Sequence, residues 1–424
     1  MINVGSMIGS GIFLVPATIA LFLPSSPLIL FVWVIGGIVS LFGALSIAEL
    51  GALYPKAGGQ FVYLREAYGP LWGFLYGWTA FTVIMCGAIS AVAVGFATYL
   101  TSFLPLSDAG IKIVAIASIM ILTVINCFGV KLGAVIQNGL TLLKMLLLGI
   151  FIFMGFFVKG AVATGVQSQT LPLAGIAGPF GLALVAVLWS YDGWIEITYV
   201  AGEVKNPQKY IPRSLILSTL IVILIYILIN LTYITVLPIG TISRSTLVAA
   251  DAATVIFGQG GAQIAAFCVI VALLGTNNGF VLTGARIYYA MAADKIFFRS
   301  LAKIHPTYRT PVASLVAQGM WASLLVLTGT FSQLFTYVIF ASWIFYAMAA
   351  GAVMVLRRRS PRTERPYKVW GYPATPVIFI LFSMYLVIDT VIEDPRDALI
   401  GLAIILAGIP GYMYWRRRSA DPSR

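Results

Sequence analysis

Two short runs and one lysine stand out for their chemistry in an otherwise apolar chain. The first run, Val4-Gly5-Ser6-Met7-Ile8-Gly9-Ser10-Gly11-Ile12-Phe13, puts three glycines and two serines into seven residues, a poor composition for a helix interior. The second, Leu188-Trp189-Ser190-Tyr191-Asp192-Gly193-Trp194-Ile195-Glu196, sets two acids and a glycine among aromatic and aliphatic residues. Lys144 is alone in Leu140-Thr141-Leu142-Leu143-Lys144-Met145-Leu146-Leu147-Leu148. At bilayer depth each such charge costs about 2.5–3.5 kcal/mol on insertion scales. Close packing of small residues accounts for Gly5 and Gly9, but not for Asp192. Local unwinding accounts for both runs. Where a helix opens, N–H groups at the start of one half and C=O groups at the end of the other lose their partners, which lipid tolerates only around a cavity. Free N–H groups behind a positive helix end suit a carboxylate, and free carbonyls suit an ammonium. Two such openings make a receptor for a zwitterion.

The elements that position these groups follow from composition. Hydrophobic residues make up 60% of the 424 and charged residues only 9%, far below the roughly one quarter of soluble domains. At about 20 apolar residues per crossing, there is material for roughly a dozen transmembrane helices. Twelve spans are expected, at residues 2–22, 28–53, 70–103, 111–127, 133–158, 179–202, 212–237, 261–292, 312–328, 334–356, 374–391 and 398–415. With the N-terminus inside, 21 of the 26 Lys and Arg fall on the inner side, Lys112, Lys159, Arg244 and Arg396 fall outside, and Lys144 lies within a span. That asymmetry puts both termini in the cytoplasm of a multi-pass cell-membrane protein. It also accounts for the net charge of +12 without a nucleic-acid partner.

Other classes find little support. Cys86, Cys127 and Cys268 all lie in apolar stretches, so no disulfide framework is expected. The N-terminus lacks the features of a signal peptide. The single histidine, His305, falls in an inner loop, no metal-ligand or nucleophile–base spacing occurs, and no phosphate-binding G-x-x-x-x-G-K-[ST] loop is present. Neither an enzyme nor a cofactor is expected.

The openings fall at residues 9–11 and 191–193, in spans one and six. That spacing suits two inverted five-helix copies, residues 1–158 and 179–356, with two appended helices at 374–415. The expected fold is an all-α membrane protein of 12 helices in one transporter domain, with helices 1 and 6 discontinuous. Its ligand would be an α-amino acid, recognised by the part all of them share.

Gly9-Ser10-Gly11-Ile12-Phe13 resembles the first-helix signature of the amino acid–polyamine–organocation superfamily. Ser190-Tyr191-Asp192-Gly193-Trp194, Glu203-Val204-Lys205-Asn206-Pro207 and Ile211-Pro212-Arg213 resemble the sixth helix and following loop of its L-amino-acid transporter group, in a prokaryotic-type member. Gly275 to Arg286 is similar to that group's eighth helix, and Leu50 to Gly59 to the end of its second. The resemblance covers essentially the whole chain. It implies a LeuT-type 5+5 inverted repeat working by alternating access. Carried over by position, Ser10, Gly11 and Ile12 offer N–H groups, and Ser10 its hydroxyl, to the substrate carboxylate. Carbonyls near Met7 and Ile8, and near Trp189, Ser190 and Asp192 beside Gly193, take the ammonium. Trp189 is the aromatic lid, unless it is an ordinary buried ring. The loop Ser102 to Lys112 has no cysteine, so no disulfide-linked heavy subunit is expected. The chain begins only eight residues before Gly9, so a longer native N-terminus is expected.

Lys144 lies some eleven residues into span five, about 16 Å deep and near the midplane. Snorkelling to the interface is strained at that depth. The resemblance implies that its ammonium stands where other relatives bind Na⁺, tying the first-helix opening to Thr276 and Asn278 of span eight. It is a fixed strut or a proton carrier. Asp192 caps the opened helix, helps hold the ammonium, or favours a cationic side chain. Tyr226 offers a hydroxyl near Lys144. Glu49 reads as structural, and Glu196 as either structural or functional. The function expected is Na⁺-independent exchange of small or medium neutral L-amino acids. Proton-coupled uptake, or antiport of cationic amino acids or polyamines, is the alternative.

Overall fold

The computed structural model describes residues 1–158, 173–328 and 331–419. Two basic residues of the charge count, Lys159 and Arg424, lie outside the described residues. In chain order the helices are α1 (Ile2–Met7), α2 (Gly11–Phe22), α3 (Ser26–Leu53), α4 (Gln60–Tyr68), α5 (Pro70–Thr79) and α6 (Met85–Leu100). Next come α7 (Asp108–Cys127), α8 (Val130–Phe156), α9 (Leu173–Ser190), α10 (Pro207–Val236), α11 (Ile239–Arg244) and α12 (Val248–Phe257). The last are α13 (Gly261–Ala293), α14 (Val312–Thr328), α15 (Phe331–Arg359), α16 (Ala374–Glu393) and α17 (Pro395–Ser419). A π turn, Ala80–Ile84, joins α5 to α6.

Among the described residues, nine helices are long and apolar enough to cross a bilayer. Shorter apolar helices are Gly11–Phe22, Ile176–Ser190 and Val312–Leu327. The polarity of α8 tells lipid from water. Gln137, Thr141 and Lys144, three or four residues apart, are buried, whereas Leu142, Leu146, Ile150 and Phe153 are exposed. A helix that hides its polar stripe and shows its leucines is built for hydrocarbon, where backbone groups must also bond internally. With the described apolar helices, this makes the chain a multi-pass membrane protein.

Local signals set several helix ends. Pro70 starts α5 directly after Gly69, whose φ of +102° suits glycine, and Pro207 starts α10 after left-handed Asn206. Ser107 caps α7 by accepting from Gly110 N at 3.2 Å. Three short helices, α4, α11 and α12, fall where the sequence reading has only loops. Each buries one apolar side: Phe61, Val62 and Leu64 in α4, Ile239 and Ile242 in α11, and Val248, Ala249 and Ala252 in α12. Such docking depends on partners distant in the chain and leaves no long hydropathy signal.

At the centre, α1 lies among α8, α10 and α13, and α2 packs against α9, α11 and α12. The chain between Met7 and Gly11 is not helical. After Ser190 it runs through turns and two short 3₁₀ segments, Glu196–Thr198 and Ala201–Glu203, before α10. Helix 179–202 of the sequence reading therefore stops at Ser190 in the structure.

Candidate functional site

The two interrupted segments meet backbone to backbone, and glycine permits it. A Cβ built on Gly11 would lie 2.9 Å from Ser190 Cα and from Ser190 Cβ. A Cβ on Gly193 would lie 2.9 Å from the Ser6 carbonyl carbon and 3.1 Å from Met7 N, and Gly193 has φ +101°. Each interruption thus receives the main chain of the other.

Side chains from the surrounding helices tie the loose ends. Lys144 of α8, 1% exposed, donates to Gly5 O at 2.8 Å and Ile8 O at 2.5 Å. Its Nζ is 3.3 Å from Thr276 Oγ1, which is itself within bonding distance of Gly5 O and Ile8 O. Lysine thereby neutralises the carbonyl end of α1 with its one charge. Tyr226 of α10 places its Oη 2.7 Å from Met7 O and 2.9 Å from Ser190 O. One hydroxyl proton serves two carbonyls, one from each interrupted segment. Asn3 holds the far side, accepting from Ile197 N at 2.8 Å.

The start of α2 is the reverse. Among the described residues, the N–H groups of Ser10, Gly11 and Ile12 have no hydrogen-bond acceptor, as the first turn of a helix dictates. Unclaimed donors and over-subscribed acceptors thus lie a few residues apart.

Ser10 and Gly11 of the donors, and Met7 and Ser190 of the acceptors, line a cavity of about 80 Å³. Its polar end is formed by Ser6, Met7, Gly9, Ser10, Gly11 and Ser190, with Asp192 and Thr276. Its apolar end is formed by Ala88, Ala91 and Val92 of α6 with Trp189, Phe280 and Val338. At about 10–15 Å³ per water by this measure, the space holds a solute with few heavy atoms. A second cavity of about 110 Å³, lined by Phe13, Tyr99 and Val269, has no charged side chain in its wall.

The residues singled out in the sequence divide into three groups. Met7, Ser10, Gly11, Trp189, Ser190, Asp192 and Thr276 line the cavity. Lys144 and Tyr226 stand behind it, bonded to its main chain. Ile8, Ile12 and Gly193 are buried and take no part in its wall. Asn278 is elsewhere: it donates to Gln137 Oε1 at 2.8 Å and accepts from Asn126 Nδ2 at 2.9 Å, so Thr276 alone of the pair reaches Lys144. Tyr226 bridges the two segments instead of meeting Lys144. Asp192 Oδ1 accepts from Gly193 N at 2.9 Å and from Tyr346 Oη at 2.7 Å. Glu196 accepts from Thr283 Oγ1.

Sequence reasoning missed Tyr346, Phe280 and the α6 wall. Ala88, Ala91 and Val92 at helical spacing were a legible signal of a small-residue face. Nothing near Tyr346 marks it as the partner of Asp192.

Outside the cavity, carboxylates pair with arginines. Glu49 meets Arg357 at 2.5 Å and Arg365 at 3.1 Å and accepts from Val369 N at 2.8 Å. Arg286 meets Glu203 at 3.0 Å. Arg65 bonds Glu66 at 2.6 Å and also pairs with Asp294.

Comparison with known proteins identifies the family. The amino acid permease family model matches residues 1–409. The serine/threonine exchanger SteT of Bacillus subtilis is 34% identical over 423 residues, covering 99% of this chain and 95% of that protein. The mouse b(0,+)-type amino acid transporter 1 is 30% identical over 439 residues, covering 99% and 88%. The mouse large neutral amino acids transporter small subunit 2 is 32% identical over 437 residues, covering 98% and 80%. With a crossing of bared main-chain poles at its centre and this likeness along its length, the chain belongs to the amino acid permease family of the amino acid–polyamine–organocation superfamily and is an amino acid transporter, not an enzyme.

Proposed function

We propose that the chain exchanges small neutral L-amino acids by alternating access, without Na⁺, on a LeuT-type 5+5 inverted repeat of 12 helices. One observation carries this reading: the free N–H groups of Ser10 and Gly11 and the shared carbonyls of Met7 and Ser190 belong to residues that line one small cavity. The donors suit a carboxylate at a helix N-terminus. The Ser190 carbonyl, with Tyr226 on one lone pair, keeps the second for an ammonium. The side chain then faces Ala88, Ala91, Val92 and Val338, which offer shape but no polar specificity. The small volume, and the name of the serine/threonine exchanger, favour short side chains. The Lys144 ammonium supplies a fixed cation where a Na⁺ would otherwise sit, and Trp189 closes the cavity from one side. Both termini face the cytoplasm, and the chain works without a disulfide-linked heavy subunit.

Asp192 at the cavity supports a second reading, antiport of a cationic amino acid or polyamine, or proton-coupled uptake. Two donors already claim its Oδ1, which favours a capping role. Counterflow in proteoliposomes with a panel of amino acids, with and without Na⁺ and a pH gradient, separates the readings. Neutral exchange should persist in choline buffer without a gradient. Flux that requires Na⁺, or a lysine or polyamine preference over serine, would end the proposal.

A further inference from the structure

A groove of about 700 Å³ opens beside the first turns of α10. Lys209 and Arg213 stand at its mouth, one helical turn apart, and Ile216, Leu217 and Leu220 continue the same wall. The facing wall is Pro366, Tyr367 and Trp370, from the segment between α15 and α16. No carboxylate lines it among the described residues. Arg213 is exposed and, among the described residues, has no ion pair. The Lys209 ammonium lies 5.7 Å from the Tyr210 ring centroid. Tyr367 Oη is buried and has no hydrogen-bond partner among the described residues. Trp370, by contrast, is 65% exposed.

The α10 wall is therefore graded, two cations and then aliphatic side chains, with a phenol and an indole facing it. From Lys209 to Leu220 is about 16 Å along the helix, roughly half the 30 Å hydrocarbon core and so within one leaflet. A phosphate followed by an acyl chain presents the same grading. A free anion would leave Leu217 and Leu220 unused, and a zwitterionic headgroup would bring an ammonium against Lys209 and Arg213.

We propose that this groove binds an anionic phospholipid, with Lys209 and Arg213 on the phosphate and Leu217 and Leu220 under an acyl chain. The lipid joins α10 to the α15–α16 segment, which Glu49 already ties to α3 through Val369 N. The inference stands apart from the transport reading.

The test uses the full chain in detergent, followed by thermal unfolding while phosphatidylglycerol or phosphatidylcholine is titrated in. Phosphatidylglycerol should raise the midpoint saturably, and phosphatidylcholine should not. Lys209→Gln/Arg213→Gln should need about thirtyfold more phosphatidylglycerol, the scale of two near-surface cations, while Arg416→Gln/Arg417→Gln responds like the parent. Equal shifts from both lipids, the same shift from glycerol phosphate alone, or a parental response from Lys209→Gln/Arg213→Gln would overturn the proposal.

Discussion

The crossing of the interrupted segments and the ionic rim are held together by opposite means. At the rim, each carboxylate is matched to guanidinium groups. Glu49 has two arginines and a backbone N–H, and Arg286 has Glu203. At the crossing, four main-chain carbonyls share one ammonium and two hydroxyls. The rim is saturated, so it acts as a frame. The crossing keeps a free lone pair on Ser190 O and unclaimed N–H groups at the start of α2, so an added solute can bond there without first breaking what is present. A binding site in a membrane must be both polar and incomplete, and of these two regions the crossing is both.

The largest effect expected is at the contact points. Gly193→Ala places a Cβ 2.9 Å from the Ser6 carbonyl carbon at φ +101°, a cost of about 1–3 kcal/mol in backbone strain alone. Gly11→Val meets Ser190 first, so the obstruction is the neighbouring main chain before it is any lost carboxylate position. Both should abolish substrate binding measured by scintillation proximity. Normal affinity in either would show that the segments do not meet as described.

Lys144→Ala comes next. Gly5 O and Ile8 O would lose charged hydrogen bonds of about 1.5–3 kcal/mol each, leaving Thr276 to serve both. Counterflow should fall below detection while size-exclusion profiles stay monodisperse; unchanged kinetics would return the lysine to a snorkelling role. Tyr226→Phe removes only the shared hydroxyl. A loss of roughly tenfold in apparent affinity is expected, about 1.4 kcal/mol, and no loss would mean that the two segments do not communicate through it.

The smallest effect tests the rim. Arg65→Ala removes a partly exposed pair and should shift stability by under about 1 kcal/mol, with transport intact. A transport defect there would erase the division between frame and site.

How much of this could be read from sequence differs by region for the same physical reason. Gly11 and Gly193 announce themselves by the company they keep, runs of glycine, serine and acid that close packing alone does not account for. Lys144 and Asp192 announce themselves by their cost in hydrocarbon. Most apolar spans were legible within a few residues, as α13 at Gly261–Ala293 against 261–292 illustrates, but the span expected at 179–202 stops at Ser190. The Glu49 cluster was not, because its arginines lie more than 300 positions away and charged residues near membrane ends are ordinary. Tyr346 was invisible for the same reason, and α4, α11 and α12 are set by partners distant in the chain.

Gly11 against Ser190 and Gly193 against Ser6 have a further consequence. The feature common to every α-amino acid is met by peptide groups, which a codon change does not remove. The feature that differs between amino acids is met by Ala88, Val92 and Val338, which single substitutions enlarge or shrink. Lineages built on this plan can drift from one diet to another while the grip on the solute's head stays inherited.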